Sequence, residues 1–346
     1  MMKIGFFFNF EKLLGGGHFW RCLNLAKKLK NTGKEFYFFS NIKDKNFINL
    51  LKKNEINYIE IFKIKKDRII NDIIEKIQYY KIKNLIIDSY KIGYFDEKKI
   101  KKVAKKLIII DDYVDRKHFC DLLINNNFLC SLSKKKIKKE NPNTKLAIGH
   151  KYNIINNTEY KKKLFLKKSK NIKNIFIFFG SSDNTNETSK VLEIVNFFPS
   201  IKFNIIIGNF NKNCQKFKKI QKIQKNTKFY FNLDNDKMIN LIKKSELAIG
   251  AGGINMIERL YFNLPSFVIC VADNQKKSTE YLKNQKSIIY LGKSRNVSKN
   301  IICNNLKNLI ENKKHFKNLQ KNTLKISLNL NSNNLIIKKL NSVLIK

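Results

Sequence analysis

The chain has 346 residues, of which 43% are hydrophobic and 12% aromatic, and its formal net charge is +43. These values are typical of a globular protein with room for two domains, and they exclude a wholly disordered chain. No run in the sequence approaches the ~20 apolar residues of a membrane-spanning helix, so we expect no stable membrane insertion.

The positive charge comes almost entirely from lysines, which occur along the whole chain among asparagines and isoleucines. A nucleic-acid-binding surface typically concentrates basic residues in one stripe and uses arginine. We therefore attribute the excess to a coding bias toward AT-rich codons and predict no nucleic-acid partner, although the charge favours an anionic substrate. Nucleic-acid binding remains a rival interpretation, which a gel-shift at physiological salt would test because electrostatic binding falls steeply with salt.

The six cysteines are scattered singly and form no C-x-x-C pair. This pattern indicates neither a disulfide framework nor a zinc site. We expect a reduced, cytoplasmic monomer that uses no metal and no cofactor.

The first predicted element is a strand, "KIGFFFNF", which ends without the small-residue cleavage site of a signal peptide. Three glycines and His18 follow, and apolar residues then recur at helical spacing from Phe19 to Leu29. Lysine-rich amphipathic stretches separate most of the later strand-like runs. Those runs begin at Phe36, Asn57, Asn84, Lys106, Asp121, Asn174, Lys202, Lys228, Leu247, Ser266 and Ser287.

This alternation of apolar strands and helices predicts parallel sheets covered on both faces. About a dozen strands are too many for one ordinary sheet. We therefore predict an α/β protein with two doubly wound Rossmann-like domains facing across a cleft. The expected boundaries are 1–153 for the first domain, 154–171 for a lysine-rich linker, 172–330 for the second domain and 331–346 for a terminal helix.

Glycines and polar residues follow the predicted strands of both domains, at the edge where doubly wound sheets bind ligands. In the first domain these residues are Gly15 to His18, Asp88 to Tyr90, and Asp111 with Asp112. In the second domain they are Gly180 to Asp183, Gly250 to Gly253, and Asp273 to Gln275. The repetition of this pattern at one edge of each sheet is more specific than any single member of it.

His18 directly follows the glycines, at the predicted start of a helix. A glycine loop at a helix start lets a ligand approach bare amides, and the helix dipole disfavours a charged imidazolium. We therefore expect a neutral His18, the form that a general base needs. The alternative is that the glycines only turn the chain tightly, and that His18 is a helix cap or a packed side chain without a catalytic role.

The second glycine loop, Gly252 and Gly253, precedes a helix that carries Glu258 about one and a half turns in. Amides at that helix start would hold a diphosphate, and the carboxylate would accept hydrogen bonds from a ribose. An ordinary exposed helix glutamate is the alternative. No triphosphate-binding or dinucleotide-binding glycine motif occurs at these loops, and no cluster has metal-ligand spacing.

Six segments occur in one order along residues 3–282: "GGGHFWRCLNLAKKL", "LIIDSY", "DDYVDRKHFCDLLINN", "FGSSD", "AIGAGGINMIERLYFNLPSFVI" and "ADNQ". Together they resemble the UDP-sugar hydrolases of pseudaminic acid biosynthesis, which act on a UDP-linked diacetamido-trideoxy sugar. That family is in turn similar to the N-acetylglucosamine transferase of peptidoglycan synthesis. The resemblance implies a glycosyltransferase-B fold, metal-independent hydrolysis of the sugar–UDP bond, and UDP held by the second domain.

The resemblance also implies site residues. His18 would activate water, and Tyr90 would lie near the sugar. From the strand-end pattern together with the resemblance, we predict fifteen residues that contact the substrate. These are Gly16, Gly17, Arg21, Asp88, Tyr90, Gly180, Ser181, Ser182, Asp183, Gly252, Gly253, Asn255, Glu258, Asn274 and Gln275. Two positions depart from the family pattern: Ser181 replaces a glycine, and Ser89 replaces a histidine that would be a second acid/base group.

The expected reaction places water on the face of the anomeric carbon opposite UDP, so that the released sugar is inverted. A sugar transferase with the same UDP site is the alternative, with an acceptor hydroxyl in place of water. Transferases of the peptidoglycan type are expected to carry a proline-containing loop after the histidine, whereas here Phe19 to Cys22 begin the helix directly. This difference favours the hydrolase.

Overall fold

The structure is a computed structural model that describes residues 1–10, 16–30, 33–61, 66–155, 169–220, 225–231, 233–330 and 334–345. Most of the expected linker 154–171, and Gly15 of the first glycine loop, lie outside these residues. The described chain forms two compact units. The first unit contains the residues up to 155 together with 334–345, and the second unit contains 169–330.

The first unit is built on a seven-stranded parallel sheet of order β3-β2-β1-β4-β5-β6-β7. Its strands are β1 (Met2–Phe8), β2 (Lys34–Ser40), β3 (Ile56–Glu60), β4 (Asn84–Asp88), β5 (Lys106–Ile110), β6 (Leu122–Asn125) and β7 (Lys145–Ile148). Its helices are α1 (Gly17–Leu29), α2 (Lys45–Lys53), α3 (Lys66–Tyr79), α4 (Tyr94–Lys101) and α5 (Ser131–Glu140).

The second unit is built on a six-stranded parallel sheet of order β10-β9-β8-β11-β12-β13. Its strands are β8 (Asn174–Phe178), β9 (Lys202–Ile207), β10 (Thr227–Phe231), β11 (Leu247–Ala251), β12 (Ser266–Cys270) and β13 (Ile289–Lys293). Its helices are α6 (Glu187–Leu192), α7 (Cys214–Ile220), α8 (Asn235–Lys244), α9 (Ile254–Tyr261), α10 (Lys276–Asn284), α11 (Lys299–Glu311) and α12 (Lys313–Leu330).

The prediction of two doubly wound Rossmann-like units is confirmed. The central strands are apolar on both faces because helices cover both, and all five residues of β4 are buried. In each sheet the strand order reverses between two central neighbours, β1 and β4 in the first unit and β8 and β11 in the second. Ligands bind at such reversal points, beyond the carboxyl ends of the strands.

Two details of the fold go beyond the predicted elements. Strand β7 was not predicted; its four residues lie at the sheet edge, and their pattern is too short to distinguish from a loop. The last helix, α13 (Leu335–Asn341), is shorter than the expected span and packs with the first unit. There the backbone amide of Ile345 donates to Asn84 Oδ1 at 3.0 Å, and Asn84 Nδ2 donates to the carbonyl of Ile345 at 2.8 Å. In the described ranges, no helix has the length and apolar character needed to cross a bilayer.

Candidate active site

His18 lies in the first turn of α1, two residues after a backbone position that requires glycine. Gly16, the N-cap residue, has φ +67°, in the left-handed region, while the nearest atom to an added Cβ would be 3.6 Å away. Glycine is therefore required for its backbone conformation and not for space. The turn places the imidazole beside the end of β4, where His18 Nδ1 lies 2.7 Å from Asp88 Oδ1.

The Asp88 carboxylate is buried completely, with an exposed fraction of 0%. Burial raises its pKa, but the charges and hydrogen bonds of Arg21 and His18 outweigh that effect and lower the pKa to about 2. An ionised Asp88 can only accept hydrogen bonds, so Nδ1 of His18 carries the proton that it shares with Asp88. In the neutral imidazole the free lone pair is then on Nε2, which makes no hydrogen bond to any residue in the described part of the chain.

The pKa of His18 differs from the sequence-based expectation. Burial lowers it, but the charge and hydrogen bond of Asp88 outweigh burial and raise it above the usual value of 6.5. The expectation of a neutral-biased histidine considered only the helix dipole, because nothing in the sequence shows that a carboxylate 70 residues away contacts the ring. His18 is therefore a stronger base than an isolated imidazole.

Arg21, one turn further along α1, ties two carboxylates to the same place. Its Nε donates to Asp88 Oδ2 at 2.7 Å and its Nη2 to Asp88 Oδ1 at 2.5 Å. Its Nη1 donates to Asp112 Oδ1 at 2.8 Å. Asn127 Nδ2 donates to the same Asp112 oxygen at 2.9 Å, and the hydroxyl of Tyr90 donates to Asp112 Oδ2. We call His18, Arg21, Asp88, Tyr90, Asp112 and Asn127 the His18 network.

Tyr90 packs its ring edge-to-face on His18, with centroids 4.9 Å apart. Burial, followed by the charge of Asp112, raises the pKa of its phenol, so Tyr90 stays neutral. Its hydrogen bond to Asp112 and its contact with the imidazole fix one wall of the site around His18.

The structure brings together four of the predicted residues of the first unit: His18, Arg21, Asp88 and Tyr90. It places Arg21 and Asp88 behind the histidine, almost without solvent exposure, where their polar atoms bind one another. That geometry fits positioning of His18 better than the direct substrate contact assigned from the sequence. Asp112 and Asn127 were missed as site residues; their only signal was a place beyond the ends of β5 and β6.

In the second unit the segment Gly250–Gly253 joins β11 to α9. Gly253 is the N-cap residue of α9, and no side chain in the described part of the chain caps this helix start. Glu258 is half-buried and accepts a hydrogen bond from Asn255 Nδ2 at 2.7 Å. Burial raises the pKa of Glu258 despite that bond. The alternative of an ordinary exposed glutamate is therefore wrong.

Gln275 reaches the same segment from a 3₁₀ turn, Asp273–Gln275, which also contains the half-buried Asn274. Its Oε1 accepts from the backbone amides of Gly252 and Val271, each at 3.2 Å. A side-chain oxygen thus binds an amide that was expected to face a diphosphate. An acceptor oxygen of a ligand would have to replace Gln275 Oε1 in order to bind the amide of Gly252.

The segment Gly180–Asp183 follows β8 in the same sheet. Gly180 has φ +97°, and Gly208 packs so closely on Ser181 that an added Cβ would lie 2.2 Å from the Ser181 Cα. Ser182 is half-buried beside them. The carboxylate of Asp183 instead accepts from the amides at 187 and 188, at 2.9 and 3.0 Å, and so caps α6. Both oxygens of Asp183 are thus used to cap α6. This geometry gives no support to the substrate contact that was predicted for Asp183.

Comparison with known proteins finds relatives in sequence and in fold. No family model matches the sequence. An uncharacterized protein of Methanocaldococcus jannaschii is 32% identical over 296 residues, covering 82% of this chain and 58% of that protein, so the chain spans little more than half of that relative. The UDP-2,4-diacetamido-2,4,6-trideoxy-β-L-altropyranose hydrolase of Campylobacter jejuni is 26% identical over 287 residues, covering 81% of this chain and 96% of the hydrolase.

A solved structure defines the fold class. A UDP-glucosyltransferase from Polygonum tinctorium superposes with a TM-score of 0.71 at 10% identity, covering 99% of this chain and 98% of that one. At this identity the likeness concerns the fold alone. The fold is that of the glycosyltransferase-B proteins, two Rossmann-like α/β units in one chain.

Proposed function

We propose that this protein is a UDP-sugar hydrolase that releases UDP and the free sugar, and that its substrate is a UDP-linked diacetamido-trideoxy sugar of the pseudaminic acid type. The Campylobacter jejuni hydrolase, similar over 96% of its length, supports the substrate class. The observation that carries the reaction type is the pairing of His18 Nδ1 with the buried Asp88 at 2.7 Å, which leaves Nε2 to accept a proton.

In the proposed reaction His18 Nε2 removes a proton from water as the water oxygen bonds to the anomeric carbon. The bond between that carbon and the UDP oxygen breaks, and its electron pair leaves with UDP. Asp88 holds the imidazole in the correct tautomer and stabilises the imidazolium that forms. Positioned base catalysis of this kind contributes about 10²–10⁴-fold to the rate.

The charges around His18 favour attack on carbon over attack on phosphorus. The His18 network contains one guanidinium and two carboxylates, so the net charge of the network is −1 while the imidazole is neutral. A phosphoryl group next to Nε2 would meet that negative charge, whereas a neutral sugar carbon would not. Water activated by His18 therefore attacks the anomeric carbon. Because water enters on the face opposite the departing UDP in a single displacement, the sugar product is inverted.

We assign UDP to the second unit. The uncapped start of α9 offers amides and a positive dipole end to the diphosphate, and Glu258 offers its carboxylate to the ribose. Gly180 and Ser182 border the same sheet edge, and Asn274 and Gln275 are proposed to contact the substrate. With the diphosphate held in this way, activity is expected to survive EDTA.

The deciding experiment incubates the protein with a panel of UDP-sugars in ¹⁸O-labelled water, without an acceptor. We expect UDP release with a diacetamido-trideoxy sugar, label in the sugar and none in UDP, and the inverted anomer first by proton NMR. Label in UDP would rule out the assigned role of His18. The same base would also activate an acceptor hydroxyl, so UDP release only after an acceptor is added would favour a transferase.

A further inference from the structure

Arg259 is a fully buried cation in the second unit, with an exposed fraction of 0%. Its Nη2 donates to the carbonyl oxygen of Ala251 at 2.7 Å. Its Nε and Nη1 are buried and have no hydrogen-bond partner among the described residues. A buried guanidinium normally has its donors satisfied, because an unmet polar group loses its hydration without compensation.

The guanidinium lies under the glycine segment that precedes α9. Side chains in a helix point back toward its N-terminus, which carries Arg259 from the middle of α9 toward the end of β11. A Cβ added to Gly250 would lie 2.1 Å from Arg259 Nη1 and 2.5 Å from the carbonyl oxygen of Phe178. Gly250 is therefore required for close approach, and the charge is located where β8 and β11 end.

No carboxylate in the described residues lies within ion-pair distance of this guanidinium. Burial lowers the pKa of Arg259 to about 9, and the charge of Glu258 opposes that shift only in part. Glu258 is a weak counter-charge, since burial also raises its own pKa. The segment Gly250–Gly253 and the start of α9 thus lie above a positive charge that the described residues compensate only in part.

We propose that Arg259 is a positioning residue for an anionic ligand, which makes the start of α9 selective for a diphosphate over an uncharged nucleoside. Its hydrogen bond to the Ala251 carbonyl polarises the Ala251–Gly252 peptide and strengthens the Gly252 amide as a donor. Its charge adds to the helix dipole and is compensated only when the anion binds. The inference rests on the proposed function, because it takes the diphosphate to be that of UDP.

The test compares UDP and uridine binding by calorimetry, alongside thermal unfolding of the ligand-free protein, for the wild type and three variants. Arg259→Met removes the charge with little change in volume. We expect it to weaken UDP binding about tenfold to a hundredfold, the value of a charge-assisted contact, and to leave uridine binding unchanged. Its midpoint of thermal unfolding should equal or exceed that of the wild type, because an uncompensated buried charge has been removed.

Arg259→Lys keeps the charge and should bind UDP with intermediate affinity. Lys299→Met is the matched control, because it removes an equal charge that is half-exposed and paired with Glu193 at 3.1 Å. It should leave UDP binding unchanged.

Two results would overturn the inference while the proposed function stands. The first is that Arg259→Met binds UDP as tightly as the wild type. The second is that Arg259→Met unfolds, or that it loses affinity for UDP and for uridine to the same extent. The second result would make Arg259 an ordinary structural residue. A wild type that binds no UDP would contradict the proposed function itself.

Discussion

Each of the two glycine-to-helix junctions of this protein contains a buried arginine, and the two arginines differ in the counter-charges that contact them. At the first, Arg21 lies behind His18 and meets two carboxylates, Asp88 and Asp112, at 2.5 and 2.8 Å. At the second, Arg259 lies behind the start of α9, and among the described residues its guanidinium donates only to the backbone carbonyl of Ala251. Both arginines are buried, and both are on the first helix after a central strand.

This difference indicates two kinds of chemistry. A cation neutralised by the protein itself attracts no anion, so the first junction can hold an imidazole and adjust its proton affinity. A cation without a protein counter-charge attracts an anion from solution, so the second junction is suited to a diphosphate. The following predictions test this division, from the largest expected effect to the smallest.

The first prediction concerns the proton acceptor. His18→Ala should lower kcat by about two to four orders of magnitude, the usual loss for a general base, while UDP affinity stays unchanged. UDP release and calorimetric binding of UDP measure the two parts separately. Near wild-type turnover would exclude His18 as the base, and a parallel loss of UDP affinity would contradict the assignment of UDP to the second unit.

The second prediction compares the two arginines directly. Arg21→Met leaves Asp88 and Asp112 buried without their cation, so it should lower the free energy of unfolding by about 3–5 kcal/mol. Arg259→Met leaves no carboxylate without its cation, so its free energy of unfolding should equal or exceed that of the wild type. Urea unfolding of both variants provides the measurement. Equal losses would mean that the two arginines are compensated alike and that the comparison is wrong.

The third prediction concerns the ribose. Glu258→Ala removes a half-buried carboxylate and should weaken UDP binding by about 1.5–3 kcal/mol, the value of hydrogen bonds to a charged group. Glu280→Ala is a suitable control, because Glu280 is on the neighbouring helix α10 and is half-exposed. Calorimetry that shows equal affinities for both variants would remove Glu258 from the site.

Much of the fold and of the candidate site could be predicted from the sequence, because both depend in large part on local patterns. Apolar strands, glycines after them and helical spacing predicted both junctions, the doubly wound fold and His18. The compensation of charge could not be predicted, since it depends on distant contacts: 91 residues separate Arg21 from Asp112. The sequence pattern of α9 likewise gave no sign that Arg259 is buried.

The fourth prediction is a pH dependence. Since Asp88 raises the pKa of His18 above 6.5, kcat/KM should already fall as pH drops below that raised pKa, because the protonated ring accepts no proton. The loss should approach about tenfold per pH unit. Asp88→Asn removes the charge and should move this limb to lower pH. A limb that does not move would show that Asp88 does not set the proton affinity of the base.

The last prediction compares the two glycines that serve as N-caps, Gly16 of α1 and Gly253 of α9. Replacement by alanine removes a favourable cap residue from both helices, so that loss is common to the pair. Gly16 has φ +67°, where a Cβ costs about 1–2 kcal/mol, whereas Gly253 has φ −85° and an added Cβ would meet only Gln275 Nε2 at 3.5 Å.

Gly16→Ala should therefore be less stable than Gly253→Ala by about 1–2 kcal/mol in urea unfolding without ligand. In UDP binding we expect the opposite order, with Gly253→Ala the more weakened variant. The alanine methyl group at position 253 borders the proposed diphosphate site, and the one at position 16 does not. Gly16→Ala that is as stable as Gly253→Ala would mean that the first junction does not need its left-handed turn. The position of His18 would then depend on Asp88 and Tyr90 alone.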